Sequence, residues 1–221
     1  ENYGPEMVTA FIRLNGMTVG CVANRTEVLD EENEKTAEYE PVLGARGCDK
    51  AAEFVSFCDA FNIPVLALVN VKGYKQSKCT ERRIAKAAGR LTYAFANADV
   101  PKVTVVIGEA YGSAYVTMNS KSIGADIVYA WPDAKIGMMD AAAAVKIMYA
   151  EEISASDKAA ALISEKAAEY EALQSSAAAA AGRGYVDDII KADETRQRVI
   201  AAFEMLFTKR EGRPSRKHGT V

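Results

Sequence analysis

Two stretches of the chain are apolar or β-branched at every position: Val65-Leu66-Ala67-Leu68-Val69 and Val103-Thr104-Val105-Val106-Ile107. A strand with one wet face alternates, so a run with no polar face has to be covered on both sides. A segment of helical period precedes each run. From Cys48 to Asn62, Ala51, Val55, Cys58 and Phe61 fall on one face, with Ala52 and Phe54 beside them. From Thr80 to Asn97, Ile84, Ala87, Ala88, Leu91 and Phe95 do the same. Pro64 and Pro101 stop these helices. Helices alternating with doubly covered strands predict a layered α/β fold, with ligands at the carboxyl ends of the strands.

Both runs lead into glycine. The second enters Gly108-Glu109-Ala110-Tyr111-Gly112-Ser113-Ala114-Tyr115-Val116-Thr117-Met118, where small residues start a helix. A strand feeding a tight turn and a helix N-terminus presents free backbone N–H groups at one point. Neither GxGxxG nor GxxxxGK[ST] is present, which argues against a dinucleotide or a P-loop phosphate site. The reading that remains is an oxyanion site made by the N–H groups of Ser113 and Ala114; the plain alternative is a tight strand–helix joint. Ser113 as a nucleophile is disfavoured, because the GxSxG elbow is incomplete and no base follows. The first run ends at Asn70-Val71-Lys72-Gly73-Tyr74, a turn expected beside the Gly112-Ser113-Ala114 turn. Lys72, Lys75, Lys78, Arg82 and Arg83 form a positive cluster that reads as a solvated face.

Elsewhere, Val8–Leu14 and Met17–Ala23 flank Asn15-Gly16, the strongest short hairpin signal. Glu27 to Glu40 reads as an exposed acidic loop. Asp126–Pro132 and Lys135–Met139 read as short strands, Ala141–Tyr149 and Ser156–Leu173 as helices, and the Ala177–Ala181 tract as tight helix packing. Gly184 to Ile190 reads as a turn and a strand. Asp193 is placed to cap a last helix whose apolar face is Val199, Ile200, Phe203, Leu206 and Phe207. Tyr111 and Tyr115 are spaced to share a helix face, and Trp131 reads as core. Asp187-Asp188 would point to opposite faces of a strand, which argues against a metal pair.

Several classes are excluded. A net charge of −3 gives no basic field for nucleic acid. The four cysteines form no CxxC, so no metal site is expected and a reduced, cytoplasmic setting is the default. No apolar run approaches the ~20 residues of a membrane span. The single histidine, His218, lies three residues from the C-terminus, a poor place for a catalytic base. No linker divides the chain, so residues 1–221 are expected to form one domain. The start at Glu1, directly ahead of a strand pattern, suggests a piece of a longer protein.

Collinear segments across nearly the whole chain carry a resemblance: Phe57-Cys58-Asp59-Ala60-Phe61-Asn62-Ile63-Pro64, Val100-Pro101-Lys102-Val103-Thr104-Val105, Ala110-Tyr111-Gly112-Ser113-Ala114-Tyr115, Tyr129-Ala130-Trp131-Pro132, Gly184-Tyr185-Val186-Asp187-Asp188, Thr208-Lys209-Arg210-Glu211 and Lys217-His218-Gly219. They resemble the C-terminal half of the carboxyltransferase subunit of biotin-dependent acyl-CoA carboxylases and of methylmalonyl-CoA and glutaconyl-CoA decarboxylases. The resemblance implies a crotonase-like spiral of ββα units. It implies carboxyl transfer between carboxybiotin, borne on a biotin carboxyl carrier protein, and a coenzyme A thioester of propionyl or methylmalonyl type. In the family, backbone N–H groups stabilise the ureido oxygen and the biotin nitrogen serves as base. These donors map onto Ser113 and Ala114, in a Gly-Gly-Ala turn that here is Gly112-Ser113-Ala114. The biotin wall maps onto Gly73 and Tyr74, with Tyr115 alongside, and a position that influences acyl choice maps onto Val116. Where the family usually has Asp-Val-Pro-Gly-Phe, this chain has Asn70-Val71-Lys72-Gly73-Tyr74.

The resemblance also implies an absent N-terminal half that holds most of the CoA site, so that the chain alone would turn over little. It implies dimers, often assembled as trimers of dimers, and a membrane decarboxylase subunit if the reaction runs as decarboxylation. Two alternatives stay open at this level: a crotonase-type hydratase or isomerase, which would need an acid/base pair, and a non-catalytic docking or oligomerisation domain for a biotin carrier.

Overall fold

The computed structural model describes residues 3–156 and 158–212; His218 and its neighbours lie outside them. The chain opens with β1 (Met7–Leu14) and β2 (Met17–Asn24), paired antiparallel. Asn15 and Gly16 both have positive φ (48° and 82°), as a two-residue hairpin turn requires. β3 (Glu27–Leu29) and β4 (Lys35–Glu38) then pair with each other. The expected acidic loop is therefore an exposed hairpin. The Asp30 carboxylate builds its turn by accepting from the N–H groups of Glu32 and Glu34, which a charge pattern does not reveal.

The central layer follows: β5 (Val42–Leu43), α1 (Ala45–Ala60), β6 (Val65–Val71), β7 (Gly73–Tyr74), α2 (Lys78–Asn97), β8 (Lys102–Tyr111) and α3 (Gly112–Thr117). Then come β9 (Ile127–Ala130), β10 (Lys135–Gly137), α4 (Ala141–Met148), α5 (Ala150–Ala155), α6 (Ala159–Tyr170), α7 (Ala177–Gly182), β11 (Asp188–Ile189) and α8 (Thr195–Met205). The main sheet runs β1-β2-β6-β8-β9-β11, and β10 joins the far end of β8. Every pairing in it after the hairpin is parallel.

Both faces of the sheet are covered, as the continuous runs predict. Val65, Ala67, Val69 and Val106 pack on one face with Cys48 and Val55 of α1 and Leu91 and Phe95 of α2. Leu66, Val103 and Val105 pack on the other with Val199 and Phe203 of α8. The one polar residue in the second run, Thr104, is fully buried and donates to the Asn119 carbonyl, while the Asn119 amide donates back to its hydroxyl.

Three expectations change in the last third. Residues 156–173 are not one helix: α6 starts at Ala159, has no fully buried residue, and passes into a wider turn at Glu171–Ser175. Asp193 does not cap α8; Glu194 is the cap residue and bonds no N–H through its side chain, because a tight turn from Lys191 delivers the chain to Thr195. Phe207 is 74% exposed and so leaves the apolar face of that helix. Trp131 is half-buried against the second core face, and its indole N–H donates to Thr195. Asp187 and Asp188 separate as expected, toward Lys121 and Arg198 respectively, and the described residues hold no metal-binding cluster. No helix among them is long and apolar enough to cross a membrane.

Burial pushes the thiols of Cys21 and Cys58 up to about 11 and, with help from Asp49 and Glu6, that of Cys48 up to about 12. Only Cys79, in the first turn of α2, is exposed. Since the thiolate is the reactive form, a thiol reagent at pH 8 is expected to titrate one cysteine in the native protein and all four after denaturation. More than one fast-reacting thiol in the native state would contradict this packing.

Candidate functional site

The two glycine turns meet because their strands are neighbours. β6 and β8 run parallel in adjacent positions, so the segments leaving their carboxyl ends emerge side by side. β6 passes into β7, whose Gly73 and Tyr74 pair with Val42 and Leu43 of β5. β8 runs on through Gly108 to Tyr111, and α3 begins at Gly112 with no break.

One hydroxyl ties the two turns together. Thr117, on the last turn of α3, donates its single proton to the Ser113 carbonyl at 2.9 Å. Its lone pairs then accept from Thr92 of α2 at 3.2 Å and from the Tyr74 hydroxyl at 3.1 Å. Tyr74 is thus fixed against α3, and α3 against α2. Neither Thr92 nor Thr117 stands out in the sequence, because both sit on helices where hydroxyls usually face solvent or bond a nearby carbonyl. Tyr74 is named in the sequence by the resemblance, as part of the biotin wall, but its bond to Thr117 is not legible there.

Gly112 has a φ of +57°, and a Cβ placed on it would lie 2.9 Å from the Met138 carbonyl oxygen just after β10. Glycine is therefore required twice, by the left-handed backbone and by the neighbouring strand. Ser113 is exposed, Ala114 is buried, and Val116 is half-buried. The cap residue Tyr111 offers no side-chain acceptor to the helix, so the first N–H groups of α3, those of Ser113 and Ala114 among them, have no intrahelical partner. Gly73 is half-buried, and nothing lies within 4 Å of a Cβ built on it. The geometry is an open step beside Gly73 and Tyr74, next to the donors at the start of α3 that lack an intrahelical partner.

The aromatic residues play different parts. Tyr111 ends β8 and does not share a helix face with Tyr115. Both are buried, and burial pushes each phenol up to about 12, helped by Glu109 at Tyr111 and by Asp187 at Tyr115. Neither takes up a proton as a base near neutral pH. The Tyr115 hydroxyl is buried with no hydrogen-bond partner among the described residues. The positive cluster is solvent-facing, with Arg83 joining Arg90 in pairing to Asp49 of α1. A cleft of about 460 Å³ lies alongside, lined by Lys75, Ser77, Cys79 and Arg83 and by Ala45 and Arg46 at the start of α1.

Comparison with known proteins shows the family and the fold. A family model described as the carboxyl transferase domain matches residues 1–221. The methylmalonyl-CoA carboxyltransferase 12S subunit of Propionibacterium freudenreichii subsp. shermanii is 42% identical over 98% of this chain and 40% of its own length. The methylmalonyl-CoA decarboxylase subunit alpha of Propionigenium modestum is 40% identical over 100% of this chain and 41% of its own. A crystal structure of transcarboxylase 12S, with methylmalonyl-coenzyme A and methylmalonic acid bound, superposes with a TM-score of 0.87 at 41% identity, covering 99% of this chain and 40% of that one. The fold is crotonase-like. The chain spans about 40% of the length of these relatives.

Gly112→Ala is expected to cost about 3 kcal/mol, from the left-handed backbone plus overpacking against Met138. Gly16→Ala has a similar φ but open space around it, so its cost is about 1 kcal/mol. Denaturant unfolding of both variants measures the difference, and equal losses would mean that the Met138 carbonyl gives way.

Proposed function

Because the chain belongs to the carboxyl transferase family, we propose that it is the biotin-side half of a site that moves a carboxyl group between carboxybiotin and an acyl-CoA of propionyl or methylmalonyl type. The observation that carries this reading is the open step itself: the turns after β6 and β8, joined through Tyr74 and Thr117, with free N–H donors on one side and an uncovered glycine on the other. A flat ureido ring fits such a step, since Gly73 leaves room for it and the donors of α3 lie beside it. Bound on a carrier protein, biotin supplies the nitrogen that bears the carboxyl group and the base for the acyl α-carbon.

The N–H groups of Ser113 and Ala114 would donate to the ureido oxygen and stabilise the negative charge it takes on, and Gly73 and Tyr74 would wall the ring. Val116, half-buried on α3, is the position that would influence acyl choice. A preorganised backbone donor of this kind is typically worth ~2.7–4 kcal/mol in a transition state. No side chain of the site has to take a proton, in keeping with phenols held at about 12. The chain, residues 1–221, is on this reading the C-terminal half of a carboxyltransferase subunit. The remaining part holds the CoA, the assembly is a homo-oligomer, and a biotin carrier delivers the substrate. The identity to methylmalonyl-CoA enzymes across the whole chain supports the acyl class.

The test is a carboxyl-transfer assay on this chain mixed with the N-terminal half of its own polypeptide, with free biotin or a biotinylated carrier as acceptor and malonyl-CoA or methylmalonyl-CoA as donor. The mixture is expected to transfer and this chain alone is not. Ala114→Pro removes one N–H in the first turn of α3, where no intrahelical bond is lost, and is expected to lower kcat by about 10²–10³. Ser113→Ala keeps its N–H, so its loss is expected to be at least about tenfold smaller. A folded complex with no transfer would overturn the reading, and abolition by Ser113→Ala alone would move the chemistry to the hydroxyl.

A further inference from the structure

We propose that Asn70, held in place by Asn24, is the positioning residue that sets the spacing between the two turns of the site. This inference rests on the carboxyl-transfer reading for its kinetic consequence, though not for its structural one.

The register between β6 and β8 breaks just before the turns. Val69 pairs with Val106, but the next partner of Val71 is Ala110. One residue of β6 thus faces three of β8, namely Ile107, Gly108 and Glu109. A bulge of this size leaves backbone groups without ladder partners, and the Asn70 side chain meets the need. Its Oδ1 accepts the Glu109 N–H at 3.0 Å. It fits because residue 108 is glycine: a Cβ there would lie 2.5 Å from that oxygen.

Asn70 is in turn held from the other side. Asn24, 5% exposed at the end of β2, accepts the Asn70 N–H at 2.9 Å through Oδ1 and donates through Nδ2 to the Asn70 carbonyl. One side-chain amide therefore copies the two-point pairing of a peptide group just past the last β2–β6 pair, Ala23 with Leu68. The two amides stitch β2, β6 and β8 together at the level of the bulge. Asn70 stands three residues before Gly73, and Glu109 three before Gly112. The offset that Asn70 fixes between the strands is passed directly to Gly73 on one side and to Ser113 and Ala114 on the other.

Only the oxygen of the Asn70 amide is used toward Glu109, so Asn70→Asp keeps the acceptor and Asn70→Ala removes it. Asn24 uses both ends of its amide, so Asn24→Asp, which loses the donor, is expected to be the worse tolerated of the two Asp variants.

The experiment has two arms. In the first, amide hydrogen exchange and NMR shifts are recorded on the 221-residue chain. Asn70→Ala is expected to speed exchange at Glu109 by about tenfold and to shift the amides of Gly73, Ser113 and Ala114, while Asn70→Asp restores both. In the second, transfer is measured in the reconstituted complex. Asn70→Ala is expected to lower kcat about tenfold with KM for the acyl-CoA changed less than about twofold, because the CoA is held elsewhere. Asn70→Asp is expected to recover the rate.

If Asn70→Ala does not fold, Gly108→Ala carries the same test by evicting the Asn70 side chain with residue 70 intact. Unchanged exchange at Glu109 overturns the clamp. Changed exchange with unchanged kcat overturns its positioning role. A wild-type complex without transfer overturns the proposed function instead, and the exchange arm still decides the clamp.

Discussion

A strand buried on both faces must find partners for every backbone group among its neighbours, and β8 is the strand for which this demand is greatest. It is ten residues long. Along its first half it is bonded by β6 and β9, and along its second by β10. Each neighbour that satisfies it is thereby placed. β6 brings Gly73 and Tyr74 to its end; β10 brings the Met138 carbonyl against Gly112. The proposed site lies where this accounting runs out, at the first N–H groups of α3, which have no intrahelical partner and no side-chain cap.

That origin explains the kind of chemistry such a site is suited to. α3 has six residues, too few for a strong macrodipole, so what it offers is aimed donors rather than field. Their aim is rigid because α3 is anchored at three levels: Gly112 against β10, Thr117 between Tyr74 and Thr92, and Asn119 in return bonds with Thr104 inside the core. Donors that do not have to reorganise when charge develops are the effective ones. Burial holds the phenols of Tyr111 and Tyr115 at about 12, so neither ionises near neutral pH, and the proposed role of the site, stabilising charge through main-chain donors, asks no proton exchange of them.

What could be read from the sequence divides along the range of the interactions. The hairpin at Asn15-Gly16, the doubly covered runs at residues 65 and 103 and the helices before them follow from nearest-neighbour rules, and all form as expected. The adjacency of the two glycine turns also follows, because parallel strands in one sheet end together. The misreadings are of another kind. The β3–β4 turn depends on where one carboxylate, Asp30, points. The cap of α8 depends on a turn entering from Lys191. The break of residues 156–173 depends on α6 having α4 to lie on and no core of its own. Thr92, Thr117, Asn24 and Asn70 are ordinary polar residues until the sheet brings them together, and only the polarity of Thr104 within an apolar run hinted at such bonds. The role proposed for the site, as opposed to its location, rests on collinear resemblance and not on spacing.

The exchange of the second glycine for Ser113 looks like the most damaging departure from the family pattern, and the backbone shows why it is tolerable. Of the two positions, the first carries the constraint: Gly112 is left-handed and closed in by Met138. Ser113 is already inside α3, is absent from the residues of positive φ, and points its side chain to solvent. A right-handed helical position accepts any L-residue, and the N–H direction there is set by the helix and not by the side chain. A backbone donor is therefore indifferent to what residue 113 is, provided that residue 112 stays glycine and Thr117 keeps hold of the Ser113 carbonyl. The same logic makes Asn70 an equivalent of Asp at the other turn: both supply one oxygen to one N–H. On the proposed reading, function carried by main-chain groups is insulated from substitution at the site itself, and exposed to it at the residues that hold the main chain.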